Sequence, residues 1–161
     1  MRYLTITSPD VNNGKGFRVT LWVAGCTHRC PGCQNPSTWA YNQGMELSEI
    51  KDQLFEKLDK PYVKGLSLSG GDPLDQTAES LAELRDLLIE VKKRFPEKDI
   101  WLYSGDYLKD VWMDKDKWGV ISQCDFMVDG PFIKELADAS LPFRGSSNQG
   151  IIDINDYKSK I

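Results

Sequence analysis

Apolar residues along the chain switch repeatedly between two periods. Residues 18–24, RVTLWVA, are rich in β-branched and aromatic side chains and predict a strand that runs straight into a group of cysteines. Leu47, Ile50, Leu54 and Leu58 then recur at helical spacing, with Ser48 placed to cap the first turn. The alternation repeats. Residues 65–69, GLSLS, form a short alternating strand that ends in Gly70-Gly71-Asp72-Pro73, and Leu81, Leu84, Leu88, Val91 and Phe95 mark a long helix stopped by Pro96. A third strand over residues 100–103 ends at Ser104-Gly105-Asp106 and leads to a weaker helical stretch with Leu108, Val111 and Trp112. A fourth, over residues 124–128, ends at Asp129-Gly130-Pro131.

Strands that alternate with helices imply right-handed βαβ crossovers, so the fold class is α/β with a mostly parallel sheet. In such sheets ligands bind at the carboxyl ends of the strands, and here each Gly-rich or polar segment falls at such an end. A complete eightfold barrel takes ~250 residues. The chain has 161, which predicts a partial (open) β/α barrel built as a single domain over residues 1–161.

The formal charge of −4 is spread without long runs of one sign and leaves no basic footprint for phosphates, which excludes nucleic acid as an expected partner. No apolar stretch reaches the length of a bilayer span, so the expectation is a soluble, cytoplasmic protein with no membrane association. Three of the four cysteines fall within eight residues, and no export signal points to an oxidising compartment, so metal ligation is preferred over disulfides.

Those three lie in Cys26-Thr27-His28-Arg29-Cys30-Pro31-Gly32-Cys33, a C-x3-C-x2-C loop. A four-iron cubane held by three thiolates keeps one iron without a protein ligand, much as a catalytic zinc keeps an open position. Other readings stand beside this one. Cys26, Cys30, Cys33 and His28 could form a structural zinc site in a binding module without catalysis, although zinc modules usually split their ligands into two distant pairs. Cys124 could add a fourth thiolate, but it opens a predicted strand, where a lone cysteine is more often a small buried hydrophobe. A Cys–His nucleophilic pair is formally available through His28, the single histidine. The five tryptophans are scattered, as expected of packing residues.

The cysteine loop after the first predicted strand, with the Gly-Gly-acid-Pro segment after the second, resembles the radical S-adenosylmethionine superfamily. More narrowly, CTHRCPGCQNPSTW at residues 26–39, SLSGGDPL, the VDG at 128–130 and RGSSNQ at 144–149 are similar to the anaerobic ribonucleoside-triphosphate reductase-activating proteins. The chain departs from the pattern in places. Gly32 stands where the superfamily usually has an aromatic residue, Gln34 stands where the narrower family often has one, and Lys15 replaces a proline in Asn13-Gly14-Lys15-Gly16.

The resemblance implies a [4Fe–4S] cluster on Cys26, Cys30 and Cys33, with the open iron chelated by the amino and carboxylate groups of S-adenosylmethionine. It further implies reductive cleavage of that cofactor to a 5′-deoxyadenosyl radical, which takes a hydrogen from a glycine on the large subunit of the reductase. Reduced flavodoxin or a similar donor would supply the electron. The chemistry belongs to cluster and cofactor, so no side chain is assigned as catalytic. Gly32, Cys33 and Gln34 are candidates for backbone contacts to the cofactor, and Gly70 and Gly71 suit a loop whose backbone approaches a ligand closely. Asp72 reads equally as a ligand or as a helix cap before Pro73. Ser104 and Asp129 end strands and could reach the cofactor or simply form turns. Arg144, Asn148 and Gln149 are candidates for cofactor or partner contact. Within the same superfamily, an activase of pyruvate formate-lyase or an enzyme modifying a free metabolite remains the alternative.

Overall fold

The computed structural model describes residues 1–33 and 36–161. In chain order the elements are β1 (Tyr3–Asp10), β2 (Arg18–Val23), α1 (Leu47–Leu58), β3 (Gly65–Gly70), α2 (Ala78–Arg94), β4 (Asp99–Tyr103), α3 (Leu108–Val111), α4 (Lys115–Ile121), β5 (Phe126–Asp129), β6 (Gly150–Asp153) and α5 (Ile154–Lys158). The strands form one six-stranded sheet in sequential order, β1-β2-β3-β4-β5-β6.

The α/β class is borne out, but the sheet is mixed. β2, β3, β4 and β5 are mutually parallel, while β1 and β6 add antiparallel edges. The expectation of a mostly parallel sheet therefore needs correcting at both ends. β1 and β6 return to the sheet without a crossover helix, and their burial alternates or stays partial, so neither carries the apolar run of a central strand.

Register sorts the side chains into two faces. Val19, Leu66 and Ile100 align across three strands, and Leu21, Leu68, Leu102 and Met127 align across four. These rows are buried and share one core with Leu54 and Leu58 of α1, Leu84 and Leu88 of α2, and Val120 and Ile121 of α4. Each such side chain contributes about 1.5–3 kcal/mol on leaving water. α1 starts one residue before Ser48 and is capped differently from the expectation. Glu46 is the N-cap, and its N–H donates to the Glu49 carboxylate at 2.8 Å. In α2 the Thr77 hydroxyl accepts from Ser80 N–H at 3.2 Å, and Lys92, Lys93 and Arg94 complement the dipole in the last turn.

The opposite face is polar and buried. Arg18 is fully enclosed: its guanidinium pairs with Asp99 at 2.7 Å, donates to Ser67 Oγ at 2.7 Å and to the Leu66 carbonyl at 2.9 Å, and lies over the Trp101 ring. Thr20, Ser67 and Trp101 follow in the next row. Cys124 sits just before β5 rather than opening it, buried in the core. Among the described residues, no helix is long and apolar enough to cross a membrane.

Candidate functional site

Past the carboxyl ends of β2, β3 and β4 the polar face opens into a cavity of about 820 Å³, within the ~300–1,000 Å³ common for small-molecule sites. Cys26, Cys30 and Cys33 all line it. β2 delivers the chain to this end, and the backbone beyond Val23 is then tied down. Gly25 N–H donates to the Thr38 carbonyl (2.8 Å), Cys26 N–H to the Trp39 carbonyl (3.1 Å) and Asp72 N–H to the Gly25 carbonyl (2.7 Å). The Gln76 amide donates to the Ala24 carbonyl at 3.0 Å.

Inside the loop, Cys33 N–H returns to the Cys30 carbonyl at 3.0 Å. Gly32 there adopts φ 75°, a left-handed conformation that glycine takes without strain. A Cβ at Gly32 would meet Phe132 no closer than 3.4 Å, so glycine supplies conformation at this position rather than space. Gly32 itself does not line the cavity. Gln34 lies outside the described residues.

Gly70 and Gly71 do line the cavity, and the structure gives a nearer reason for them than a ligand. A Cβ on Gly70 would stand 2.6 Å from the Val23 carbonyl oxygen, and one on Gly71 would stand 2.4 Å from the Gly25 carbonyl oxygen. Bare backbone at these positions lets the end of β3 press against the stem of the cysteine loop.

Asp72 is almost completely buried and has both oxygens engaged. Oδ1 accepts from Leu74 N–H at 2.9 Å, while Oδ2 accepts from Gly105 N–H at 2.9 Å and the Ser104 hydroxyl at 3.1 Å. The helix that follows starts only at Ala78, capped by Thr77. Asp72 thus caps the intervening turn, which corrects the helix-cap expectation. Oδ2 also stands 2.7 Å from His28 Nε2, a charge-paired separation whatever the angle of the ring N–H. Asp72 therefore joins the loops after β2, β3 and β4. Ser104 lines the cavity and passes the contact on, accepting from Asp106 N–H at 3.1 Å.

Asp129 is not brought to the cavity. Its carboxylate accepts from Leu108 N–H at 2.9 Å, at the start of α3, and from Gly150 N–H at 3.2 Å, where β6 begins. Arg144 and Gln149 reach the cavity wall, whereas Asn148 does not. Gln149 Oε1 accepts from the N–H groups of Gly145 and Ser146, and Arg144 donates to the Gln149 carbonyl at 2.7 Å. Asn148 donates to the Pro131 carbonyl at 2.8 Å.

Acidic side chains surround His28 at one end of the site. Pairing with Asp72 raises the pKa of His28 above the ordinary imidazole range, against its burial, and Asp106 and Asp75 act in the same direction. Burial pushes the Cys26 thiol up to about 11, although the N–H groups of His28 and Arg29 favour its thiolate. Lys117 pairs with Asp106 at 2.8 Å.

Sequence reasoning missed the wall contributed by Asn12, Asn13, Trp22 and Tyr103. The signal was present as Arg18, Thr20 and Trp22 alternating with Val19, Leu21 and Val23, the mark of a strand with two buried faces. The Tyr103 hydroxyl is buried with no hydrogen-bond partner among the described residues, a polar atom that an occupant of the cavity could satisfy.

A family profile described as a 4Fe-4S single cluster domain matches residues 12–152. Anaerobic ribonucleoside-triphosphate reductase-activating proteins align over most of the chain. That of Vibrio cholerae is 42% identical over 154 residues, covering 94% of this chain and 97% of its own. That of Haemophilus influenzae is 40% identical over 152 residues, covering 92% and 96%. The chain belongs to this reductase-activating protein family. The bacteriophage T4 member is 40% identical over 151 residues, covering 92% of each chain.

Membership in the reductase-activating family makes an iron–sulfur cluster the cofactor class, and the donor set fits it. Three soft thiols line one cavity, while Cys124 is buried away from it with its sulfur directed at the Val120 carbonyl.

Proposed function

We propose that this chain activates an anaerobic ribonucleoside-triphosphate reductase by installing a glycyl radical on its large subunit. The observation that carries the reading is the meeting of three thiols and a glycine-lined strand end in one cavity, in a chain whose relatives bear that activity in their names. Cys26, Cys30 and Cys33 would hold the [4Fe–4S] cluster, three thiolates for four irons. The sheet acts as a partial, open barrel with the cluster at its carboxyl rim.

When bound, the cluster and S-adenosylmethionine would supply the one-electron chemistry that removes a hydrogen atom from the reductase glycine, the hydrogen leaving on 5′-deoxyadenosine. The protein's residues do the rest. The clamp of Asp72 on Ser104, Gly105 and His28 fixes the cysteine loop against the ends of β3 and β4. Gly70 and Gly71 allow that close approach, with Ser69 and Tyr103 forming adjoining wall. The cavity is open to one side, so the reductase segment that bears the glycine closes it and excludes water. Reduced flavodoxin or a similar cytoplasmic donor supplies the electron.

The test is anaerobic incubation of the reconstituted chain with S-adenosylmethionine, a reductant and the reductase, followed by electron paramagnetic resonance. A glycyl radical that needs all four components is expected, and it disappears when the reductase glycine is changed to alanine. Efficient turnover of a free small molecule with no protein partner would contradict the activase role.

A further inference from the structure

The Cys26 sulfur, a ring nitrogen of His28 and a carboxylate oxygen of Asp75 lie within 4.8 Å of one another. Neither Cys30 nor Cys33 belongs to this group, and neither His28 nor Asp75 is needed by a three-cysteine cluster. We propose that Cys26, His28 and Asp75 form a mononuclear site for a borderline divalent cation of the zinc, cobalt and ferrous class, filled when the iron–sulfur cluster is absent. Thiolate, imidazole and carboxylate are the donors such ions take, and three protein ligands leave a fourth position to water.

The surroundings are arranged as they are around metal-bound histidines. His28 Nε2 faces the buried Asp72 carboxylate at 2.7 Å and Asp106 at 3.7 Å, so the imidazole is held between carboxylates at the edge of this group. A carboxylate beside a ligating imidazole is the usual device for holding its ring in place. Asp72 cannot drift, because Leu74, Ser104 and Gly105 hold it. The ring has room only because residue 105 is glycine: a Cβ there would stand 2.7 Å from His28 Cδ2. Asp75 is held in turn through Oδ2, which accepts from the Thr27 N–H at 2.6 Å and from the Thr27 hydroxyl.

Charge points the same way. Asp72, Asp75 and Asp106 crowd this end of the loop, with Lys117 paired to Asp106, so a dication entering beside Cys26 meets a negative field. Ligand atoms around tetrahedral zinc sit roughly 3–4 Å apart, so binding draws the outermost pair in by about 1 Å. The thiol proton, and the proton on the ligating imidazole nitrogen when His28 is charged, leave to solvent as the metal bonds form. Because Cys26 is shared, the ion and the cluster exclude each other, a corollary that rests on the function proposed above. The ion site itself does not.

Cobalt titration of the full chain, prepared reduced and free of cluster, tests the site. One equivalent should bind with a thiolate-to-cobalt charge-transfer band and the visible bands of a tetrahedral ion. Asp75→Asn and His28→Gln should each weaken binding by at least about tenfold, Cys26→Ser should remove the charge-transfer band, and Cys30→Ser and Cys33→Ser should retain it. Circular dichroism of each variant separates loss of a ligand from loss of the fold. Zinc added before iron and sulfide should block cluster reconstitution in the parent chain and block it less in Asp75→Asn. A cobalt spectrum that follows Cys30 and Cys33 but ignores Asp75 and His28 would overturn the proposal, as would the absence of stoichiometric binding. Undiminished reconstitution in zinc-loaded protein would overturn the exclusion. If no cluster forms even without zinc, the proposed function fails, and the cobalt spectra still decide the ion site.

Discussion

Val19, Leu21, Leu66, Leu68, Ile100 and Leu102 pack under the helices, while their immediate neighbours Arg18, Thr20, Ser67, Ser69, Trp101 and Tyr103 point to the other side of the same strands. Both sets are largely buried, yet they answer to different physics. The apolar rows are stabilised by area removed from water and need no particular partner. On the polar face every group must find a hydrogen bond or lose more than it gains. Arg18 and Ser67 find theirs within the chain. Nearer the cysteines the accounting is incomplete, since the Tyr103 hydroxyl has no partner among the described residues. The half around Arg18 is largely satisfied by the chain, with Trp101 Nε1 the exception among the described residues, and the half nearer the cysteines is shaped to receive something.

The sharpest way to break the finished half is Arg18→Ala. Asp99 would lose its ion-pair partner, and Ser67 and the Leu66 carbonyl would lose a donor. Removing one member of a buried pair costs about 3–5 kcal/mol, and the lower end is expected because Asp99 keeps 22% exposure. Urea denaturation reads the loss, and lysine at this position should recover only part of it, since it cannot reproduce the forked geometry.

On the apolar face, Leu68→Ala should cost about 2–5 kcal/mol through lost transfer energy and the cavity left behind. Iron bound per folded molecule should stay at the parent level, because Leu68 faces away from the cysteines. A fall in iron content at full folding would mean that the two faces are not separable.

A smaller effect is expected at the junction of the faces. Gly71→Ala places a methyl 2.4 Å from the Gly25 carbonyl oxygen, an overpacking worth about 1–3 kcal/mol. The strain falls one residue before Cys26, so this variant should also retain less iron after anaerobic reconstitution. Parent-level stability and iron in Gly71→Ala would show that the approach of β3 to the loop stem is not needed.

The central parallel strands and their two long helices were legible in the sequence because their apolar residues are periodic over enough positions to decide between strand and helix. The edge strands were not. β1 mixes Thr5, Thr7 and Asp10 with Ile6, and β6 is four residues long, so each is defined by pairing with a neighbour rather than by its own pattern. α4 was missed because Gly119 and the exposed polar residues around Trp118 weaken its period. Within the site, the spacing of Cys26, Cys30 and Cys33 announced chemistry on its own. Asp72 did not disclose its role, because its partners Ser104, Gly105 and His28 come from loops that only the folded sheet brings together. Asp129 looked equivalent to Ser104 as a strand-end residue. The antiparallel return of β6, invisible in the sequence, turns its carboxylate to Gly150 instead.

The account depends most on which sulfurs hold the cluster. Anaerobic reconstitution of Cys26→Ala, Cys30→Ala, Cys33→Ala and Cys124→Ala, with iron and sulfide measured per folded chain, decides it directly. The first three should lose the four-iron cluster, and Cys124→Ala should keep a full complement that still changes its electron paramagnetic resonance spectrum when S-adenosylmethionine is added. Loss of the cluster in folded Cys124→Ala, or its full retention in any of the other three, would contradict a three-thiolate site with one open iron.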